Sequence, residues 1–213
     1  MRKLLVINAH PEVESKTSLS LQVLDHFLGT YKENKQDDEV IEQINLYEDV
    51  VPMIDKIVLS GWEHSRNGDP LTHEENEVLE RMNEILVQFK SANKYLIVMP
   101  LHNFNIPSKL KDYMDNILIA RETFKYTETG SVGLLNDGRS MILIQASGSI
   151  YTNGDWYTEV EYSYKYLKSM FAFLGIEEVN ILRVQGTALL NTEDVLQNAL
   201  YQADQLSVEL ANK

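Results

Sequence analysis

Residues 95–107 read Tyr-Leu-Ile-Val-Met-Pro-Leu-His-Asn-Phe-Asn-Ile-Pro, an apolar run that passes directly into a polar loop. The apolar part, Tyr95 to Met99, predicts a buried strand of a parallel sheet, since such strands are covered on both faces. Pro100 and Pro107 restrict the backbone at the two ends of the loop. Ligands of open α/β sheets bind beyond the carboxyl ends of the strands, so this loop is predicted to bind a flat ring with polar edges. The alternative is an ordinary strand-to-helix connection.

Strands and helices alternate along the rest of the chain. The predicted strands are Lys3–Asn8, Glu39–Leu46, Tyr95–Met99, Met141–Gln145 and Val179–Val184. The predicted helices are Ser18–Tyr31, Thr72–Ala92, Ser108–Ala120, Val160–Leu174 and Thr192–Leu210. Two long connections, Tyr47–Pro70 and Leu118–Arg139, are expected to contain short helices or to cover a substrate pocket. The pattern predicts one α/β domain over residues 1–213, with a five-stranded, doubly wound parallel sheet in flavodoxin-like order.

The composition excludes several partners and cofactors. Nineteen Lys and Arg residues oppose 32 Asp and Glu residues, which gives a formal charge of −13 and disfavours nucleic acids and anionic membranes as partners. The chain has no cysteine, so disulfides, iron–sulfur clusters and thiolate zinc sites are excluded. Its five histidines form no H-E-x-x-H motif, and no metal site is predicted. Small molecules or proteins are the expected partners.

The N-terminal sequence passes from Met-Arg-Lys directly into the first predicted strand. That apolar run is too short for the core of a signal peptide or for a membrane span. We therefore expect a cytoplasmic protein.

The loop after the first strand ends in hydroxyl-bearing residues where a helix is predicted to begin. Thr17, Ser18 and Ser20 would add hydroxyl donors to the free N–H groups and positive dipole end of that helix, which together can hold a phosphate. The alternative is ordinary capping of the helix by a serine or threonine. Motifs of nucleotide triphosphatases, dinucleotide sites and acyl hydrolases are absent from the sequence. One phosphate site and one ring-binding loop together predict flavin mononucleotide (FMN).

Several motifs carry a resemblance to a known family. They are the N-terminal Lys-Leu-Leu-Val-Ile-Asn-Ala-His-Pro, Pro100–Phe104 with Leu110–Asp115 behind it, Thr123–Glu128 and Gly133–Leu135. Through them the chain resembles, over essentially its whole length, the FMN-dependent NADH azoreductases, also described as NADH:quinone oxidoreductases. The resemblance implies that FMN is bound tightly, at the interface of a homodimer.

The resemblance and the loop positions together assign fourteen residues to the FMN site. The phosphate end comprises His10, Thr17, Ser18, Leu19 and Ser20, and the ring end comprises Pro100, Leu101, His102, Asn103, Phe104, Ala146, Ser147, Gly148 and Ser149. Members of the family commonly have Arg-Gly-Gly after the fourth strand of the sheet, where this chain has Ser147-Gly148-Ser149. The missing arginine is expected to change the redox potential of the flavin rather than its retention.

The resemblance also implies an activity. NADH would reduce the flavin at N5, and a quinone or azo compound would then take two electrons from it, in ping-pong order and with no catalytic side chain assigned. Phe124, Tyr126 and Tyr151 are predicted to wall the pocket of an aromatic substrate, with packing in the core as the alternative for at least two of the aromatic residues near the site. Two other functions stay open: a flavodoxin-like one-electron carrier and a flavin-binding module without turnover.

Overall fold

Fourteen secondary-structure elements make up the part of the chain that the computed structural model describes, residues 2–213. The strands are β1 Lys3–Asn8, β2 Val40–Asn45, β3 Lys94–Pro100, β4 Phe124–Thr127, β5 Gly130–Gly133, β6 Ser140–Ser147 and β7 Glu178–Gln185. The helices are α1 Leu19–Asn34, α2 Lys56–Asn67, α3 His73–Ser91, α4 Ser108–Ile117, α5 Trp156–Glu159, α6 Tyr162–Leu174 and α7 Thr192–Ala211.

Five of the strands form one parallel sheet in the order β2-β1-β3-β6-β7. The predicted five-stranded, doubly wound sheet in flavodoxin-like order is confirmed. The paired residues at the carboxyl ends of the strands are Asn8 with Val98, Pro100 with Ala146, and Ser147 with Gln185. Because all the strands run in one direction, the polar loops that follow them leave from the same edge of the sheet.

Helices cover both faces of this sheet, since successive residues of a strand point to opposite sides. On one face, α1 and α7 bury a core that includes Leu4, Val6, Phe27, Leu182 and Ala203. On the other face, α3, α4 and α6 bury a core that includes Leu5, Ile7, Phe89, Tyr113 and Phe171. The central strands are therefore apolar along their whole length, and polar groups are confined to their ends.

The helix predicted over Val160–Leu174 begins later than expected. Its start is wrong because α5 ends at Glu159 and α6 begins only at Tyr162. Between them, Glu161 has a ψ angle of 72°, outside the helical range. Its carboxylate is buried against Arg183 and Gln145, and this contact from distant strands overrides the local helical pattern.

The two long connections both contain regular structure. The connection Tyr47–Pro70 contains α2, which Asp55 caps by accepting the N–H groups of Ile57 and Val58 at 2.9 and 3.0 Å. The connection Leu118–Arg139 contains the antiparallel hairpin of β4 and β5. A Cβ atom at Gly133 in β5 would collide with the backbone of Leu174, so only glycine lets the hairpin lie against the end of α6.

Two kinds of feature are absent from residues 2–213. None of the helices there combines the length and the apolar composition needed to cross a membrane. The same residues contain no group of three or more histidine, aspartate or glutamate side chains arranged to hold a metal ion.

A buried ion pair lies at the amino end of the sheet, opposite the loops described above. The Lys94 ammonium is 2.9 Å from the Glu39 carboxylate, and both side chains are almost completely buried. The Tyr31 hydroxyl donates to the same carboxylate at 2.6 Å. Lys94 also donates to the Ala211 carbonyl at 3.3 Å, so this pair fixes the end of α7 to the start of β3.

The start of α3 is held by a buried carboxylate. Thr72 and Glu75 form a capping box, in which the Thr72 hydroxyl accepts the Glu75 N–H and the Glu75 carboxylate accepts the Thr72 N–H, at 3.2 and 2.9 Å. Ser60 of α2 donates to the same carboxylate at 2.6 Å, and His64 lies 3.0 Å from it. The hydrogen bond from Ser60 is the main reason that the pKa of Glu75 falls to about 2, with further contributions from Thr72 and His64.

We expect Glu75→Gln to remove a pH-dependent part of the stability. Because the pKa of Glu75 is about 2 in the folded protein against 4.5 when unperturbed, its contribution is complete above pH 4.5 and is lost as the pH falls toward 2. Urea unfolding at several pH values should show that the difference in free energy of unfolding between the wild type and Glu75→Gln becomes smaller as the pH falls from 4.5 toward 2. Glu80→Gln, at an exposed position of the same helix, is the control. A Glu75→Gln difference that stays constant with pH would contradict the expectation.

Candidate functional site

A cleft of about 370 Å³ lies at the carboxyl ends of β1, β3, β6 and β7, a size within the roughly 300–1,000 Å³ usual for small-molecule sites. It is lined by His10, Glu12, Ser15, Thr17, Ser18, Ser20, Pro100, Leu101, Ala146, Ser147, Gly148 and Thr187. The structure thus brings nine of the residues predicted from sequence to one cleft. It places Leu19, His102, Asn103, Phe104 and Ser149 outside that lining.

One end of the cleft is built from hydroxyl groups at the start of α1. Ser18 is the N-cap residue, and its hydroxyl lies 3.0 Å from that of Ser20 and accepts the Leu21 N–H at 3.5 Å. Within residues 2–213, the N–H groups of Leu19 and Ser20 have no hydrogen-bond acceptor. Free N–H donors, hydroxyls and the positive end of the helix dipole together make this end attractive to an anion.

His10 borders the same end of the cleft as a neutral ring. Partial burial is the main cause that lowers its pKa below the ordinary value of histidine, while Glu12 acts in the opposite direction. Its Nδ1 atom lies 3.0 Å from both the N–H and the carbonyl of Glu12, so one of these groups holds the ring in either tautomer. His10 can therefore offer a hydrogen bond to a ligand but no full charge near pH 7.

The loop after β3 makes a tight turn with unusual backbone angles. His102 and Asn105 exchange N–H···O bonds of 3.0 and 2.8 Å, and the φ angles of Asn103 and Phe104 between them are 47° and 67°. This is a type I′ turn, hereafter the Phe104 turn. Leu101, just before it, donates its N–H to the Ala146 carbonyl at 2.8 Å. The cleft wall at Leu101 is thus joined to a strained turn.

The loop after β6 closes the cleft on the opposite side. Ser147 is only 7% exposed, and its hydroxyl donates to the Ser149 carbonyl at 3.0 Å. A Cβ atom at Gly148 would meet only the Ala188 side chain, at an ordinary 3.5 Å. The packing of the chain therefore does not require glycine there, and the missing side chain leaves the backbone open to close approach from the cleft.

Three lining residues were missed from sequence. Glu12 and Ser15 belong to the first loop, and Thr187 follows β7. Thr187 donates its hydroxyl and its N–H to the Ser147 carbonyl, each at 3.2 Å. The rule that ligands lie beyond the carboxyl ends of parallel strands applies to β7 as well, and it could have identified Thr187.

The three aromatic residues predicted to wall a substrate pocket do not line this cleft. Phe124 is buried against Phe173, with ring centroids 4.7 Å apart, while Tyr126 beside it is 75% exposed. Tyr151 is buried in another loop, 5.7 Å from the ring of Tyr157. For Phe124 and Tyr151, packing within the chain accounts for the burial.

A second cavity, of about 390 Å³, lies beside β7 and the first half of α7. It contains none of the residues predicted to bind a cofactor. Its polar lining includes Arg183, Gln185, Asp194 and Asn198, and it has no group of hydroxyls at a helix start. The cleft at the carboxyl edge is therefore the better candidate.

The comparisons with known proteins identify the family of this chain. The model of a family with a flavodoxin-like fold matches residues 2–206. A Bacillus cereus protein named FMN-dependent NADH:quinone oxidoreductase 1 is 68% identical over 213 residues, the whole of both chains. This chain belongs to that family. Another member, from Lactiplantibacillus plantarum, is 44% identical and covers 95% of this chain and 94% of its own. The family predicted from the sequence is confirmed.

Solved structures of relatives have the same fold. A crystal structure described as an FMN-dependent NADH-azoreductase from Bacillus anthracis in complex with FMN is 67% identical to this chain, with a TM-score of 0.98 and coverage of 99% of this chain and 100% of its own. The azoreductase AzrA is 28% identical, with a TM-score of 0.86 and coverage of 97% and 99%. Members of the family at quite different levels of identity therefore keep the architecture on which the cleft depends.

Proposed function

We propose that this protein binds FMN in the cleft and uses NADH to reduce quinones and azo compounds by two electrons in ping-pong order. When bound, FMN supplies the centre that accepts a hydride from NADH and passes two electrons to the acceptor. The observation that carries the proposal is the cleft at the carboxyl edge of the sheet, with an anion-attracting helix start at one end. The same assignment is supported by a relative that matches the full length of this chain and whose name specifies FMN and NADH.

The residues of the cleft fit FMN. The phosphate would be held by the hydroxyls of Ser15, Thr17, Ser18 and Ser20 with the N–H groups at the start of α1. Local donors at hydrogen-bond distance outweigh the net charge of −13, because exposed charges farther than about 8–10 Å are screened by salt. The ring would lie between Leu101 and the backbone at Gly148, where the absence of a side chain allows close approach.

We also propose that the five predicted residues outside the lining of the cleft contact the ligand in a more extended site. His102, Asn103 and Phe104 belong to the turn directly after Leu101, and Leu19 and Ser149 neighbour residues of the wall. In a homodimer with FMN at the subunit interface, these residues and the exposed Tyr126 would face the ligand or the acceptor, while the buried Phe124 and Tyr151 would support the pocket from within the chain. Exposed Val50, Met53, Ile54 and Leu59 support such an interface, and a monomer mass in sedimentation would contradict it.

Cytoplasmic residence stays a prediction.

Rapid mixing tests the function against its alternatives. FMN titration of the apoprotein first establishes binding, and the complex is then mixed with NADH without oxygen. We expect the flavin absorbance to disappear with one NADH consumed per FMN, and to return when a quinone is added. No reduction by NADH would indicate a binding module. Poor reduction by NADH, with two separate one-electron stages in chemical titration, would indicate an electron carrier.

We expect Ser18→Asp to weaken FMN binding without weakening the helix. Aspartate caps helices about as well as serine, but its carboxylate would face the phosphate. At about 5 Å and an effective dielectric constant of about 20, the repulsion is on the order of 3 kcal/mol per charge pair before screening. Ser18→Asn keeps the cap without the charge and is the control. Equal FMN affinity of the Asp and Asn variants would remove Ser18 from the phosphate site.

We expect Ser147→Arg to raise the two-electron potential of bound FMN. Ser147 lies in the wall of the cleft, at the position where the family resemblance implies an arginine, and a cation there favours the more negative reduced flavin. At roughly 6 Å and a dielectric constant of about 20 the effect is on the order of 1–3 kcal/mol, or roughly 20–60 mV for two electrons. Anaerobic dye-equilibrium titration measures it, with Ser147→Gln as the uncharged control. An unchanged or lowered potential would place this side chain away from the flavin.

A further inference from the structure

The first turn of α6 is capped by the backbone of another loop. The Phe104 carbonyl accepts the N–H groups of Tyr162 and Ser163, at 3.0 and 3.2 Å. Glu161, at the N-cap position, makes no side-chain hydrogen bond to its own helix. The Tyr162 N–H is shared with the Val160 carbonyl at 2.8 Å, but the Ser163 N–H would otherwise lack a partner at a helix start. The contact therefore satisfies α6 and holds the Phe104 turn at the same time.

The Phe104 turn needs such outside support. Asn103 and Phe104 both have left-handed backbone angles, which are unfavourable for residues that carry a Cβ atom. Backbone conformations of this kind persist only where the surrounding structure holds them. The packing of the Phe104 ring against Trp156, with centroids 5.3 Å apart, is a second contact of this kind.

Glu161 fixes the position of that helix start. Its carboxylate, only 6% exposed, receives Nε and Nη2 of Arg183 at 2.8 and 2.7 Å and the Gln145 side-chain amide at 2.9 Å. Gln145 in turn accepts the Ser163 hydroxyl at 2.7 Å. The bidentate pair with Arg183 is strongly directional. Glu161 thus joins the first turn of α6 to β6 and β7, just before the residues that line the cleft.

We propose that Glu161 is a positioning residue for the ring end of the cleft. It fixes the first turn of α6, which holds the Phe104 carbonyl, and through the Phe104 turn it sets the place of Leu101 in the wall. Glu161 does not line the cleft, and its carboxylate is fully engaged by Arg183 and Gln145, so it acts through these neighbours. The inference rests on the proposed FMN site.

Glu161→Gln tests this role. Glutamine keeps the size of the side chain, but its amide group cannot accept all three hydrogen bonds and would oppose the donors of Arg183 or Gln145. We expect the affinities for riboflavin and for FMN to fall by the same factor, on the order of tenfold, by analogy with the loss in metal sites when a group that orients a metal ligand is removed. The visible circular dichroism of bound FMN should change as well, since it reports the surroundings of the ring.

Two controls separate positioning from general stability. Glu39→Gln removes an equally buried, ion-paired carboxylate at the opposite end of the sheet, and it should lower stability while leaving both affinities and the flavin spectrum unchanged. Ser18→Asp should weaken FMN binding but not riboflavin binding. Arg183→Lys breaks the bidentate pair without removing the charge. It is the variant to test if the Glu161→Gln protein does not fold.

The outcomes are distinct. Unchanged riboflavin affinity and spectrum in the folded Glu161 or Arg183 variant would overturn the inference while the FMN site stands. Equal losses in Glu39→Gln would overturn it as well, because the effect would then follow from stability alone. If the wild-type protein binds neither FMN nor riboflavin, the proposed function fails, and this inference fails with it.

Discussion

The parallel register of the central sheet is the constraint on which the rest of the molecule depends. β1 and β3 are apolar between their ends because helices cover both faces, so the polar groups of these strands can gather only where the strands end. Since the strands share one direction, four loops meet at one edge and form a single cleft. A change of register would move the first loop away from the loops after β3 and β6.

The donors at one end of the cleft favour an anion in a protein whose formal charge is strongly negative. This is possible because the donors are backbone N–H groups and hydroxyls at the start of α1 rather than lysine or arginine side chains. The exposed Glu12 carboxylate lies in the same lining, so affinity depends on the geometry of these neutral donors. His10, kept neutral by burial, adds a hydrogen bond without adding charge.

The sequence was sufficient for the sheet, its order and the family, because apolar runs and capping residues such as Ser18 and Thr72 are local signals. It also predicted nine residues that line the cleft. The break before α6 was not predictable, since it follows from the contact of Glu161 with Arg183, 22 residues further along. The Phe104 turn lacks the glycine or Asn-Gly pair that usually marks a type I′ turn. The exposure of Tyr126 and the burial of Tyr151 likewise depend on tertiary packing, which the neighbouring residues in the sequence do not predict.

Contacts with two other parts of the chain hold α6 at both of its ends. Its first turn is bonded to the Phe104 carbonyl, and at its last turn the Leu174 carbonyl accepts the Leu135 N–H at 2.9 Å, beside the tight approach of Gly133. With 13 residues, the helix is about 20 Å long at 1.5 Å per residue. The Phe104 turn and the end of the β4–β5 hairpin are thus fixed to opposite ends of one helix.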